Sequence, residues 1–222
     1  MKQPFWKQFL SYFTEIELES TSSDLNPDLM LSLKKGRYYL TTPSAIYSYG
    51  DLYDNFSRTF QRMDLGKRDI KDVLILGFGL GSIPFMLETI FKQKYRYTGV
   101  EADETIAIWA SDLVLRGLQS PIEMHIQDAA YFVETCDELF DLVIMDIFLD
   151  DKIPDGFQEL EFVENLRHLT APDGILLFNC LAFSEEDKTK AMSFYESTFK
   201  KVFPEGTYLD LGGNWMLINR AL

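Results

Sequence analysis

Apolar and polar positions follow two regimes along this chain. From residue 72 onward, short continuous apolar runs are followed by stretches in which apolar residues recur every three or four positions. DVLILG (72–77), YRYTGVEAD (95–103), IEMHIQD (122–128), FDLVIMD (140–146), ILLFN (175–179) and WMLIN (215–219) read as strands. Helical patterns lie between them over 82–94, 104–116, 130–136, 157–169 and 185–199. Ile83, Leu87, Ile90 and Phe91 stripe the first of these, Ile106, Trp109, Ala110 and Leu113 the second, and Phe162, Val163, Leu166 and Leu169 the fourth. The alternation predicts an α/β fold: a doubly wound, mostly parallel sheet with helices on both faces. Earlier residues read differently. The segments 12–20, 29–42 and 45–50 predict short antiparallel strands with turns, and 50–63 a helix. The expected division is an N-terminal β extension with a linking helix over 1–65 and a larger α/β domain over 66–222.

Composition narrows the function. With 222 residues, 46% of them hydrophobic, the chain can build one principal core. The formal net charge of -14 and the lack of a dense Lys/Arg patch argue against nucleic acid as partner and suit a cationic or neutral small molecule. No apolar run is long enough to cross a bilayer, and the first residues lack the apolar segment and cleavage site of a signal peptide. The two cysteines, Cys136 and Cys180, form no disulfide framework, so a cytoplasmic location is expected. A homodimer is compatible with the leading β segment.

Three glycines, Gly77, Gly79 and Gly81, follow the first strand of the larger domain and open its first helix in LILGFGLGS. Glycine allows a tight turn and removes side chains that block a ligand, and the helix behind it offers unpaired N–H groups. Such a loop can hold a carboxylate, a pyrophosphate or a ribose edge. Ser82 stands where a dinucleotide motif wants its third glycine, which weakens a nicotinamide reading. Glu101 ends the second strand, where a carboxylate can accept hydrogen bonds from both hydroxyls of a ribose. Asp128 ends the third strand. It suits the amino group of an adenine, or it caps the next helix.

The fourth strand ends at Asp146, and Asp150, Asp151 and Asp155 crowd the loop behind it. Like charges held together raise one another's pKa unless a cation joins them. An amine or a sulfonium centre is such a cation. Asp146 is expected to act on the reacting group, with Asp150 and Asp151 sharing the catalytic work. Tyr47, Tyr49 and Tyr53 either line the site or pack in the ordinary way. His125 and His168 lie inside a strand and a helix and form no metal cluster with the cysteines, so no metal is expected.

These residues carry a family likeness. The region from about Asp72 to Asn219 resembles a class I S-adenosylmethionine-dependent methyltransferase domain and is most similar to the spermidine-synthase-like branch. LILGFGLGS, GVEAD, IQDAAYF, and FDLVIMDIFLDDKIPD followed by APDGILLFN carry the resemblance, with IYSYGDLY (46–53) from the leading segment. It implies a Rossmann-like sheet of seven strands with the last antiparallel, and S-adenosyl-L-methionine as cofactor. Gly77, Phe78, Gly79 and Gly81 would border its amino acid portion, Glu101 the ribose, and Asp128 with Ala129 the adenine. Asp146 falls at the position of the branch's catalytic aspartate. Three residues later, where polyamine synthases carry a second aspartate before a proline, this chain has Leu149, and their tyrosine–histidine–glutamate segment is represented by Tyr47, Ser48 and Tyr49. The expected activity is therefore methyl transfer to a small amine or hydroxyl acceptor. The alternatives are aminopropyl transfer from decarboxylated S-adenosylmethionine, and a non-catalytic protein that binds the nucleoside.

Overall fold

The computed structural model describes residues 3–150 and 152–222, so the expected role of Asp151 falls outside the described residues. A short helix, α1 (Phe5–Leu10), precedes a four-stranded antiparallel sheet in the order β1 (Ile16–Thr21), β2 (Leu29–Lys34), β3 (Arg37–Thr41), β4 (Ile46–Ser48). Lys35 and Gly36 join β2 to β3 with φ of 49° and 73°, the left-handed pair whose twist matches a two-residue hairpin. Leu29, Leu31 and Leu40 pack on Leu80, Ile106 and Trp109, so this sheet is seated on the glycine loop and the helix behind the second strand of the larger sheet. Helix α2 (Asp54–Phe60) then buries Phe56 and Phe60.

The rest of the chain builds a second layer: β5 (Asp72–Leu76), α3 (Ser82–Thr89), β6 (Arg96–Glu101), α4 (Glu104–Leu113), β7 (Ile122–Ile126), α5 (Ala129–Thr135), β8 (Phe140–Met145), α6 (Leu160–Leu169), β9 (Thr170–Leu181), α7 (Glu185–Phe194), β10 (Thr207–Asp210) and β11 (Asn214–Ile218). Its sheet runs β10-β11-β9-β8-β5-β6-β7. β5 through β9 pair in parallel, and β11 is antiparallel to both β9 and β10. The fold is thus the seven-stranded, Rossmann-like arrangement expected. Its central strands are apolar on both faces for a visible reason. Leu74, Leu76, Val143 and Met145 join one core, while Val73, Ile75, Leu142 and Ile144 join another on the opposite face. No helix among the described residues is long and apolar enough to cross a membrane.

Strand order positions the site. The chain leaves β5 for β6 and β7 on one side and returns to β8 on the other, so the order reverses between β5 and β8. The crossovers diverge there and leave a crevice beyond the carboxyl ends of these two strands. The glycine loop and Asp146 stand at its two lips.

Several boundaries differ from the pattern reading. The first helix of the larger layer stops at Thr89 instead of reaching residue 94, and Lys92 turns the chain with φ of 58°. Helix α6 begins at Leu160, because Phe157 sits in a turn and packs edge-on against Phe162. β10 carried no recognised signal: its side chains are half-buried or exposed, so the apolar run that marks a central strand is missing. Helix α1 was also unmarked, since none of its residues is buried and no apolar stripe is required of it.

Candidate active site

The glycine loop is closed by its own neighbours. The N–H groups of Gly77 and Phe78 both donate to the carbonyl of Val100, at 3.0 and 3.1 Å. Gly77 takes φ of 81°, and a Cβ there would run into the backbone carbonyl of Asp146. The loop therefore lies directly against the end of β8. Gly77 and Gly79 line the crevice; Phe78 and Gly81 do not. The Phe78 ring is buried against Gly99 and Met124, and a side chain on Gly81 would meet that ring and Leu115. The side-chain positions of these two belong to the packing behind the loop. Ser82 fastens the loop to the small sheet. Its hydroxyl lies 2.6 Å from that of Ser48 and accepts the N–H groups of Tyr49 and Gly50 at 3.0 and 2.9 Å.

Glu101 ends β6 with both carboxylate oxygens oriented by backbone. Oε2 accepts from the N–H of Gly79 at 2.9 Å and Oε1 from that of Asp103 at 3.1 Å. Burial pushes its pKa up, the nearby Asp103 charge adds to this, and the backbone donors oppose both. The neighbouring Asp103 is buried and caps α4 through the N–H groups of Thr105 and Ile106. Asp128 caps α5, with Oδ1 accepting from Ala130 and Tyr131 at 2.8 and 3.1 Å. Asp128 and the buried Ala129 both border the crevice.

Asp146 follows β8 and lines the crevice. Its backbone N–H bonds to the Leu76 carbonyl at 2.8 Å, which completes the β5–β8 ladder. Oδ1 accepts from Asn179 Nδ2 at 2.8 Å and from the Tyr53 hydroxyl at 3.4 Å. Burial raises its pKa to about 7, with the Glu101 charge assisting and the hydrogen bonds from Asn179 and Tyr53 restraining it. Burial also pushes the Tyr53 hydroxyl well above its usual range, so it stays a donor. Tyr53 is one of the three tyrosines the sequence offers for the site, whereas Asn179 escapes the sequence reading. Asn179 closes the ILLFN run at the carboxyl end of the fifth parallel strand, and that placement was the available signal.

Asp150 is placed differently. It sits on a tight turn with φ of 56°, where Thr42 donates to Oδ1 at 2.6 Å and its own N–H donates to the Tyr47 hydroxyl at 2.6 Å. The Thr42 bond holds its pKa below the usual carboxylate range. Asp150 thus ties the turn to the small sheet, although it still lines the crevice. Tyr47 in turn donates to Asn26 Oδ1 at 2.9 Å, and Asn26 donates to Asp103 at 2.7 Å. A hydrogen-bonded chain so connects the loop after β8 to the start of α4. Tyr47, Tyr49 and Tyr53 all line the site, as does Phe148.

Together these groups enclose a cavity of about 1040 Å³. Among the described residues its lining holds seven carboxylates and no lysine, arginine or histidine. A carboxylate with a pKa near 7, in a crevice lined by other carboxylates, can accept a proton from a bound cationic amine. Gly77, Gly79 and the two oriented oxygens of Glu101 leave room and acceptors for a ribose diol.

Comparison with known proteins bears on this geometry. Residues 62–210 match the model of the spermine/spermidine synthase domain. An eEF1A lysine and N-terminal methyltransferase homolog of Drosophila pseudoobscura pseudoobscura is 29% identical over 148 residues, which is 62% of this chain and 21% of that protein. A polyamine aminopropyltransferase of Vibrio vulnificus is 24% identical over 136 residues, covering 60% of this chain and 44% of the enzyme. The chain therefore spans less than half the length of either curated relative. The solved structure of a probable spermidine synthase from Corynebacterium glutamicum superimposes with a TM-score of 0.68 at 19% identity, over 91% of this chain and 78% of that one, a likeness of fold.

Proposed function

We propose, from the premise that this chain belongs to the spermine/spermidine synthase domain family, that it transfers an alkyl group from an S-adenosyl sulfonium donor to a cationic amine. The observation that carries the reading is Asp146: a carboxyl with a pKa near 7, held by Asn179 and Tyr53 in a cavity without cationic side chains among the described residues. Both curated relatives are transferases by name, one a methyltransferase and one an aminopropyltransferase, which supports the class.

The parts of the chain divide as follows. Gly77 and Gly79 give the donor's backbone-close edge a surface without side chains. Glu101 accepts from the ribose hydroxyls, and Asp128 with Ala129 borders the adenine. When bound, the donor supplies an electrophilic carbon next to a positively charged sulfur. The acceptor arrives as an ammonium, drawn by the acidic lining, and Asp146 takes its proton to free the nitrogen lone pair. The new C–N bond forms as the C–S bond breaks, and the electron pair of that bond stays on sulfur. Alignment supplies much of the rate, so no stronger base is required.

Methyl transfer from S-adenosylmethionine is the leading form, because Leu149 replaces the second loop aspartate of the polyamine synthases. One observation favours aminopropyl transfer instead. Among the described residues no cation lines the cavity, and the N–H groups of Gly77, Phe78 and Gly79 are already bonded within the protein, so these groups offer nothing to a donor carboxylate. Calorimetry with S-adenosylmethionine and with its decarboxylated form separates the two. Tighter binding of the carboxylated donor, with methylation of an amine, is the expected result. Binding of neither form would sink the reading.

A further inference from the structure

Helix α1 turns its polar side inward and its apolar side to solvent. Lys7 and Ser11, one turn apart, are the least exposed residues between Pro4 and Thr14. Ser11 is buried against the β2–β3 hairpin: its carbonyl accepts from the Lys35 N–H at 2.7 Å and its hydroxyl from the Gly36 N–H at 2.9 Å. Phe5, Phe9 and Phe13 form an apolar stripe at four-residue spacing, Trp6 and Leu10 a second beside it, and Tyr12 extends the patch. All six are 43 to 82% exposed, and the rings of Phe9 and Phe13 lie 5.3 Å apart. Isolated exposed apolar residues need no explanation, but a contiguous patch marks an interaction surface. A helix of six residues also needs packing to persist, and α1 buries none of its residues. The packing it lacks is left for a partner.

The patch itself points to the partner. At about 200 Å² for a fully exposed side chain of this size, the six expose roughly 700 Å². A stable interface buries about 800 Å² on each partner, so this face nearly supplies one side by itself. A face that is apolar throughout matches itself, as an isologous two-fold contact requires. Lys7 is the one charged residue from Gln3 to Thr14, and it lies 5.8 Å from the centre of the Trp6 ring. A copy of this acidic chain therefore meets no carboxylate on the helix. A helix that lies on a membrane carries a strongly cationic polar face, whereas the polar side of α1 bears a single cation and is turned inward. Pairing through the neighbouring edge strand is guarded against, because β1 carries Glu17 and Glu19 with an irregular register between them.

We infer that a second copy of this chain covers the face: two α1 helices pack on each other about a two-fold axis, with Phe5, Trp6, Phe9, Leu10 and Phe13 of each copy meeting those of the other. None of these residues lines the cavity, so the contact stands apart from the crevice and does not depend on the alkyl-transfer reading.

Sedimentation equilibrium of the full chain, from about 1 to about 100 μM, should show a dimer with a Kd of about 10 μM or below. The double variant Phe9→Ser, Phe13→Ser should weaken association by about 100-fold or more, the scale of removing two large apolar side chains from each copy. The melting temperature of dilute protein checks its folding. A second measurement needs no variant. Of the three tryptophans, Trp109 and Trp215 are 7% exposed and Trp6 is 57% exposed, so acrylamide quenching reports on Trp6 and should fall as the dimer forms. A monomer throughout the concentration range, a dimer that keeps its affinity in the double variant, or a dimer whose Trp6 quenches as freely as in dilute protein overturns the inference. A monomer that co-sediments with phosphatidylcholine vesicles also overturns it, and gives the face to a membrane.

Discussion

Asn179 donates its amide hydrogen to Asp146 Oδ1 at 2.8 Å, while its own side-chain oxygen is buried without a partner. The bond favours the charged carboxylate, so it holds the Asp146 pKa down against burial. Asn179→Leu removes the donor. The Asp146 pKa should then rise further, and the acid limb of the kcat/KM profile should move to higher pH by about one unit, the worth of a hydrogen bond to a charged group. A pH profile that stays in place would show that Asn179 only fills space.

Asp146 also limits stability. Its folded pKa of about 7 lies above the ordinary 3.8, so the folded state binds the proton more tightly than the unfolded chain does. The resulting penalty is absent below pH 4, grows as pH rises, and is complete above pH 7. Asp146→Asn removes the charge and keeps an acceptor for Asn179. It should abolish turnover while raising the unfolding free energy at pH 8 by about 1–3 kcal/mol, within a ceiling of about 4 kcal/mol. At pH 4 the gain should vanish. Urea titrations at the two pH values read the difference directly.

The residues that were legible in the sequence are those whose role follows from a position along one element. Asp146 and Glu101 end apolar strands, and a parallel sheet turns such ends into a site by topology alone. Gly77 could be read because a strand-to-helix turn at a sheet edge needs its backbone freedom. The inward packing of Phe78 could not be read, because one residue of rotation in a tight loop decides whether a side chain meets crevice or core. Tyr53, Asn26 and Tyr47 reach the loops of the larger sheet through partners 77 to 103 residues distant in sequence. No local pattern encodes such pairings. The long strand β9 extends further back than its apolar run, because Ala171, Pro172 and Asp173 lack strand character and lie in an irregularity between the pairs Phe140–Thr170 and Leu142–Ile175.

Gly77→Ala tests the contact between the loop and β8. The φ of 81° is costly for alanine, and its Cβ would press on the Asp146 carbonyl and on Ile147. Backbone strain alone amounts to about 1–3 kcal/mol, and the collision adds to it. A fall in unfolding free energy above about 2 kcal/mol, or failure to fold, is expected in denaturant titration. A variant as stable as the parent would show that the loop moves freely relative to β8.

Glu101→Gln probes the donor site without a change of shape. One oxygen becomes an amide that must face the N–H of either Gly79 or Asp103, so a donor meets a donor. The remaining acceptor is also uncharged. S-adenosylhomocysteine should bind about 10- to 100-fold more weakly, as for loss of a hydrogen bond to a charged group. Calorimetry with that compound isolates binding from turnover, and an unchanged affinity would remove Glu101 from the ribose.

Tyr47→Phe cuts the chain that joins the loop after β8 to α4. The hydroxyl accepts from Asp150 N–H and donates to Asn26, whose amide reaches Asp103 at 2.7 Å. Asp150 keeps a left-handed conformation at φ of 56°, a strained state for a non-glycine residue that persists only under such restraint. The turn is otherwise closed by the paired bonds between Leu149 and Lys152, at 2.8 and 3.2 Å, and by Thr42. Without the hydroxyl, the Asp150 amide loses its acceptor and Asn26 its donor. Amide exchange at Asp150 should quicken about tenfold or more, for a lost bond of about 1–2 kcal/mol. Acceptor kcat/KM should fall while S-adenosylhomocysteine affinity changes little, because Glu101 keeps its own backbone partners. Unaltered exchange at Asp150 would mean that Thr42 and the turn itself hold the loop, and that the Tyr47 hydroxyl merely occupies the gap between the sheets.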